Sequence, residues 1–185
     1  MKILTTPNPF LKHKAKTLTH FDRKIDAQVK EMIEILKKTT NPKGVGLAAT
    51  QVGLDLRLFI ILHSKKPTIY INPKITKTSD KLLSDAYPKE PDRWLEGCLS
   101  IPTIWGFVDR HFSIEVTYDT PVVTTDGWKL AHVTSQFEDV DAAYIQHEND
   151  HLDGILFTDR IRDQKGKVFQ ETKSGLELIE DYSKI

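Results

Sequence analysis

The segment Ala142-Ala143-Tyr144-Ile145-Gln146-His147-Glu148-Asn149-Asp150-His151-Leu152-Asp153-Gly154 holds the most informative residues of the chain. Ala142, Ala143, Ile145 and Gln146 lead into two histidines with helical period, and Gly154 stands where a left-handed residue can end a helix. Ser135 and Glu138 form a capping-box pair that predicts the helix start. His147 and His151 are four apart, so on a helix their imidazoles leave one face and can share one divalent ion. Such an ion brings the pKa of a bound water toward 7. Glu148, beside His147, can then take its proton and pass it to a departing amine. The ordinary alternative is a surface helix that happens to carry two histidines.

Outward from this helix the pattern is mostly strand. Phe112 to Tyr118 and Trp128 to Val133 alternate, with Asp126-Gly127 between them, which predicts a hairpin. Leu56 to Leu62 and Thr68 to Ile71 are short β-rich runs, the second closed by Asn72-Pro73. Thr76 to Pro91 is polar, carries Pro88 and Pro91, and reads as a long surface loop. Near the N-terminus Phe21, Ile25, Val29, Met32, Ile33 and Leu36 share a helical face, with Thr19 and Asp22 as the capping signal. That helix ends near Thr39, before Asn41-Pro42. A last helix is expected from Val168 to Tyr182, with Phe169, Leu176 and Ile179 as its apolar side. Helices and strands thus come in separate blocks. The expected fold is α+β: mostly antiparallel sheets packed around a central helix that carries His-Glu-x-x-His, as one domain over residues 1–185.

Composition narrows the function classes. Acidic and basic residues balance at 26 each, without the basic excess that nucleic-acid binding leaves, so no nucleic-acid partner is expected. No apolar run approaches the roughly 20 residues that span a bilayer, so no membrane partner is expected. The first residues, Met1 to His20, lack the apolar core of a secretory signal. Cys98 is the only cysteine, which rules out an intramolecular disulfide and fits a reducing cytoplasm.

The third metal ligand has three candidates. One zinc protease class uses the last His of His-Glu-x-x-His-x-x-Gly-x-x-His; here Phe157 stands in that place, which excludes the class. Another class uses a Glu on a following helix, where Glu171 and Glu177 are weak candidates. Cys98 is the strongest, because a thiolate and two imidazoles leave one coordination position open. By itself, a lone cysteine is more often a small buried hydrophobe. The glycine-punctuated Gly44-Val45-Gly46-Leu47-Ala48-Ala49-Thr50-Gln51 reads, taken alone, as a tight turn in which Gly44 and Gly46 permit positive φ. No Gly-Lys-Ser/Thr follows, which argues against a phosphate loop.

Three segments, Gly44 to Gln51, Glu96-Gly97-Cys98-Leu99-Ser100 and Gln146 to His151, resemble in order and spacing the three signature motifs of the peptide deformylase family. Ile3-Leu4 through Pro7, then Leu11 and Ala15, is also similar to that family's N-terminal pattern, so the resemblance covers most of the chain. It implies a metal-dependent hydrolase that removes the N-formyl group from the formyl-methionine of newly made polypeptides and releases formate. It further implies metal binding by Cys98, His147 and His151, Fe2+ as the native ion with Zn2+ or Ni2+ able to replace it, and Glu148 as general base and then acid. The Gln51 side-chain amide and the Leu99 backbone N–H would hold the oxyanion. Gly44, Val45 and Gly46 would line the cleft where the peptide adds as a strand, with Val45, Tyr144 and His147 around the methionine side chain. Glu96 and Asp150 would orient the histidines or simply lie on the surface, and Arg110 matches a family arginine or makes a structural ion pair.

Some features depart from the family pattern. The loop from Thr76 to Trp94 is longer than in compact members, Trp105 falls where members carry Arg or Tyr, and Tyr144 and Asn149 are bulkier or more polar than usual. The mixed charge of the C-terminal segment leaves a ribosome contact open. Two rival readings remain: a zincin-type metallopeptidase that uses Glu171 or Glu177, and a catalytically silent deformylase-like binding module. The second predicts damage to the motifs, yet Gln51, Cys98, His147, Glu148 and His151 are all intact.

Overall fold

The computed structural model describes residues 1–40, 43–63, 66–125 and 127–181. In chain order its helices and strands are α1 (Arg23–Lys38), β1 (Gly46–Ala48), β2 (Leu58–His63), β3 (Lys66–Thr78), α2 (Leu83–Ala86), β4 (Glu96–Cys98), β5 (Ile101–Gly106), β6 (Ser113–Thr124), β7 (Gly127–Glu138), α3 (Asp139–Leu152), α4 (Phe157–Gln164), β8 (Val168–Thr172) and β9 (Gly175–Ile179). The strands form two antiparallel sheets, ordered β1-β2-β3-β6-β7 and β4-β5-β8-β9. Helix α3 lies between them. Its Ala142, Ile145 and Leu152 pack with Phe59, Tyr70, Val116 and Tyr118 of the first sheet. Cys98, Ile101, Ile104 and Val168 of the second sheet pack with Leu156, Phe157 and Ile161. This is the expected α+β arrangement around a central helix.

Helix α1 covers the first sheet by burying Ile25, Val29, Met32 and Leu36 among Leu47, Leu58, Ile60 and Ile71. Asp22 alone caps it, accepting the Ile25 N–H at 2.9 Å; Thr19 takes no part in the cap. Thr39 is the C-cap, and Asn41-Pro42 lies outside the described residues. The β6–β7 hairpin is formed as expected and is longer on both arms, although Asp126 at its tip is outside the described residues.

Several local expectations are overturned. Ser135 and Glu138 do not start the helix. β7 runs through Glu138, Ser135 faces Val116 in the ladder, and α3 begins at Asp139. Cross-strand pairing along the full length of β6 outweighs the local capping preference. Asn72-Pro73 does not close a strand either, since β3 continues to Thr78. The register shifts between Ile71 and Lys74, with Asn72 at φ 50, so Pro73 sits in a bulge where no ladder hydrogen bond is demanded of it. The Asn72 side chain pins this bulge, accepting from Leu18 N at 2.8 Å and donating to Leu18 O at 2.7 Å. The segment expected as a loop begins as the end of β3 and contains α2.

The expected C-terminal helix is a hairpin, β8–β9. Phe169, Leu176 and Ile179 mimic helical spacing, but Leu176-Glu177-Leu178 alternates, and Gly175 at φ 121 supplies the turn. Val168 is fully buried against β5. Tyr182 lies outside the described residues. Among the described residues no helix is long and apolar enough to cross a membrane.

Candidate metal centre and cleft

Helix α3 turns one face toward β4, and the tight β4–β5 connection sets Cys98 opposite Ile101 at the foot of that face. Cys98, His147 and His151 are all buried, with their ligand atoms within 4.8 Å of one another. Cys98 Sγ and His147 Nε2 each lie 3.2 Å from His151 Nε2. His147 Nδ1 lies 2.6 Å from Glu96 Oε1, which directs Nε2 toward the other two atoms. Burial pulls the His147 pKa down, but Glu96 and Cys98 outweigh it and hold the imidazole well above its usual range. His151 is held well below the usual range by burial and by His147. A thiolate with two imidazoles suits Fe, Zn or Ni, so the residues fit a transition-metal cation. Glu148 Oε2 and His151 Nδ1 are buried with no hydrogen-bond partner among the described residues. Polar atoms of that kind need an explanation such as a bound ion or water.

A chain of charges supports the histidines. Arg110, 4 % exposed, donates from Nε and Nη2 to the two oxygens of Glu96 at 3.0 and 2.6 Å, and from Nη1 to Asp150 at 2.5 Å. Arg160 then grips Asp150 at 3.1 and 2.6 Å from the solvent side. Burial resists ionisation of Glu96, yet Arg110 and then His147 outweigh it and hold the carboxyl at about 2. Glu96 and Asp150 are thus buried partners and not surface carboxylates, and Arg110 is the ion-pair hub between them.

Glu148 is on the same helix face without such partners, and burial pushes its pKa up to about 7. Strand β1 passes close beside it: a β-carbon on Gly46 would overlap the Glu148 carboxylate. Gly44 has the same problem with Leu36 and Thr39. Neither glycine has positive φ, so the tight-turn reading is corrected: these positions are glycine because of close approach. Gln51, in the 3-10 turn Ala49–Val52, accepts Ala48 N–H at 2.9 Å and points Nε2 at Ser100 Oγ, 3.1 Å away, and Cys98 Sγ, 3.4 Å away.

A cleft of about 120 Å³ opens over this centre, lined in part by Gly44, Val45, Gly46, Gln51, Leu99 and Tyr144. Cys98, His147 and Glu148 form its base. The residues named from the sequence therefore meet at one place. Glu171 and Glu177 do not: both lie on the β8–β9 hairpin, where Glu171 accepts from Trp105 and Glu177 from Ser174 and Thr172. Sequence reading missed Trp94, Leu95 and Lys43 as cleft residues, and Ser100 and Arg160 as supports. Trp94, at the end of the long loop, meets Tyr144 edge-on with ring centroids 5.3 Å apart. The one signal for it was an aromatic residue closing an otherwise polar segment.

The family model described as polypeptide deformylase matches residues 1–167. Peptide deformylase 1B, chloroplastic/mitochondrial, of Arabidopsis thaliana is 34% identical over 185 residues, covering 97% of this chain. The chain spans 60% of that relative's length. The peptide deformylase of Borreliella burgdorferi is 37% identical over 161 residues, 86% of each chain. Among solved structures, the peptide deformylase from Thermotoga maritima superposes with a TM-score of 0.70 at 33% identity, covering 86% of this chain and 95% of that one.

Proposed function

We infer what this chain does from one premise: it belongs to the peptide deformylase family and is a metal-dependent hydrolase. Its substrate is the N-formyl-methionyl end of newly synthesised polypeptides, and its products are formate and a free amine. Cys98, His147 and His151 hold the metal, with Fe2+ the native ion and Zn2+ or Ni2+ able to occupy the site. When bound, the ion supplies Lewis acidity, acidifying a water and polarising the formyl group.

The chain's own residues do the rest. Glu148 takes a proton at its carboxylate and returns it to the departing amine. Its pKa of about 7 supports that role, since a base poised near the working pH both accepts and donates. Gln51 Nε2 and the Leu99 N–H donate to the oxyanion, and an uncharged amide stabilises developing charge without competing for the metal. Gly44, Val45 and Gly46 receive the peptide as an added strand along β1, an edge strand of its sheet. Val45, Tyr144 and His147 border the methionine side chain. Residues 1–185 work as one catalytic unit, in the cytoplasm. A ribosome contact is part of this reading only as a partner to be tested.

The observation that carries the reading is the convergence of Cys98, His147 and His151 under a cleft that also holds Glu148 and Gln51. The test is formate release from an N-formyl-methionyl tripeptide by enzyme loaded with Fe2+, Ni2+ or Co2+ without oxygen, beside a Glu148→Ala control. Turnover that disappears in the control is expected. A folded, metal-loaded protein that releases no formate would sink the assignment.

A further inference from the structure

We propose that the C-terminal hairpin β8–β9 is a specificity element of the cleft, acting through Glu171 to position Trp105. This inference rests on the deformylase reading of the site. The hairpin lies beyond residues 1–167, which the family model matches.

Trp105 sits on β5 between two neighbours. On one side it pairs with Gly97 of β4, where a β-carbon would stand 2.7 Å from the indole, so the ring lies against bare backbone. On the other side it pairs with Phe169 of β8. The ring is held at its rim: Trp105 Nε1 donates to Glu171 Oε2 at 3.0 Å. A second tie fixes the same strand, with Gln170 Nε2 donating to Thr103 Oγ1 at 2.7 Å; Thr103 has φ 67, a conformation a β-branched residue adopts only under constraint. Without β8, β5 would be an edge strand and the indole would have only Gly97 to lean on.

Held in this way, Trp105 borders the cleft beside Leu99. Its partner Gly97 is one strand residue, about 3.3 Å, from the ligand Cys98. In this proposal the residue that follows the substrate's methionine lies against this indole, which shares the cleft with Cys98 and His147. An apolar side chain there gains a preorganised aromatic face. Glu171 is a positioning residue: it touches no reacting atom and acts only through the ring.

The experiment compares formyl-Met-Leu and formyl-Met-Gly peptide amides with formyl-methionine amide, using the full metal-loaded chain and the variants Glu171→Leu and Glu171→Gln. Glu171→Leu should raise KM for the leucine peptide about three- to tenfold, the worth of one hydrogen bond, with kcat held. The formyl-methionine amide, too short to reach the indole, should keep its KM. Glu171→Gln retains an acceptor oxygen and should restore KM. Trp105→Ala should abolish the preference for leucine over glycine. An unchanged KM in Glu171→Leu, or an equal loss on the long and short substrates, would overturn the role of the hairpin alone. No formate from any substrate with the unmodified chain would defeat the deformylase reading itself.

Discussion

Helices α1 and α3 are of similar length and solve opposite problems. α1 buries an apolar stripe of four residues and leaves its charged face in water. α3 buries nine of its residues, and five of them are Gln146, His147, Glu148, Asp150 and His151. Burial of that many polar groups is tolerable only with partners. Glu96, Arg110 and Arg160 supply the partners for His147 and Asp150, while Glu148 Oε2 is left without one. α1 is thus held by area removed from water, and α3 in addition by a balance of charges that leaves Glu148 Oε2 and His151 Nδ1, both at the candidate metal centre, without partners among the described residues.

The sharpest way to break the symmetry is Glu148→Ala. It should cut kcat/KM by about 10²–10⁴-fold or more while metal content and melting temperature stay near those of the unmodified chain. A drop in stability of comparable weight would mean that Glu148 is structural after all. Next, Arg110→Met leaves buried Glu96 with only His147 and Asp150 with only Arg160, and should destabilise by about 3–5 kcal/mol. Denaturant unfolding of Met32→Ala gives the matching figure for α1, about 2–5 kcal/mol, with catalysis unaffected. If Arg110→Met were neutral, the charge balance would contribute nothing to the fold.

The metal-free chain offers a pH test in which two carboxylates act in opposite directions. Glu96 is held at about 2 against an ordinary 4.5, so its contribution is present above pH 4.5 and is lost as pH falls toward 2. Glu148 is raised from 4.5 to about 7, so its contribution is present below pH 4.5 and is lost as pH rises toward 7. Thermal melts across this range should show Glu148→Gln flattening the alkaline limb only. An unaltered alkaline limb would count against the burial argument for Glu148. The smallest effect belongs to α1: Asp22→Ala removes the cap on Ile25 and should cost about 1 kcal/mol by chemical denaturation.

The same contrast explains what could be read in advance. α1 was legible because its apolar period is local and uninterrupted. In α3 the spacing of His147 and His151 was legible, and so was its end at Gly154; its start was not, because the hairpin ladder runs on past Val133 and takes Ser135 opposite Val116. β8 and β9 were misread for a similar reason. Three apolar residues at helical spacing gave no hint that β5 waited to pair with Val168, Phe169 and Gln170. Asn72-Pro73 carried a true local signal, a break in the ladder, but the sheet absorbed it as a bulge. The site was legible where one residue type has one chemical use, as with Cys98, His147, Glu148 and His151. It was opaque where roles depend on contacts distant in sequence: Trp94 against Tyr144, Arg160 on Asp150, and Glu171 on the Trp105 indole.

Gly46 sets a mechanical limit on the whole cleft. The strand and α3 stand so near each other there that nothing larger than a hydrogen atom fits between backbone and carboxylate. The atoms in the way are those of the Glu148 side chain, so whatever is added at 46 acts first on the carboxylate. Even alanine at 46 would displace the carboxylate or push the strand outward, so the residue at 46 tunes where Glu148 stands.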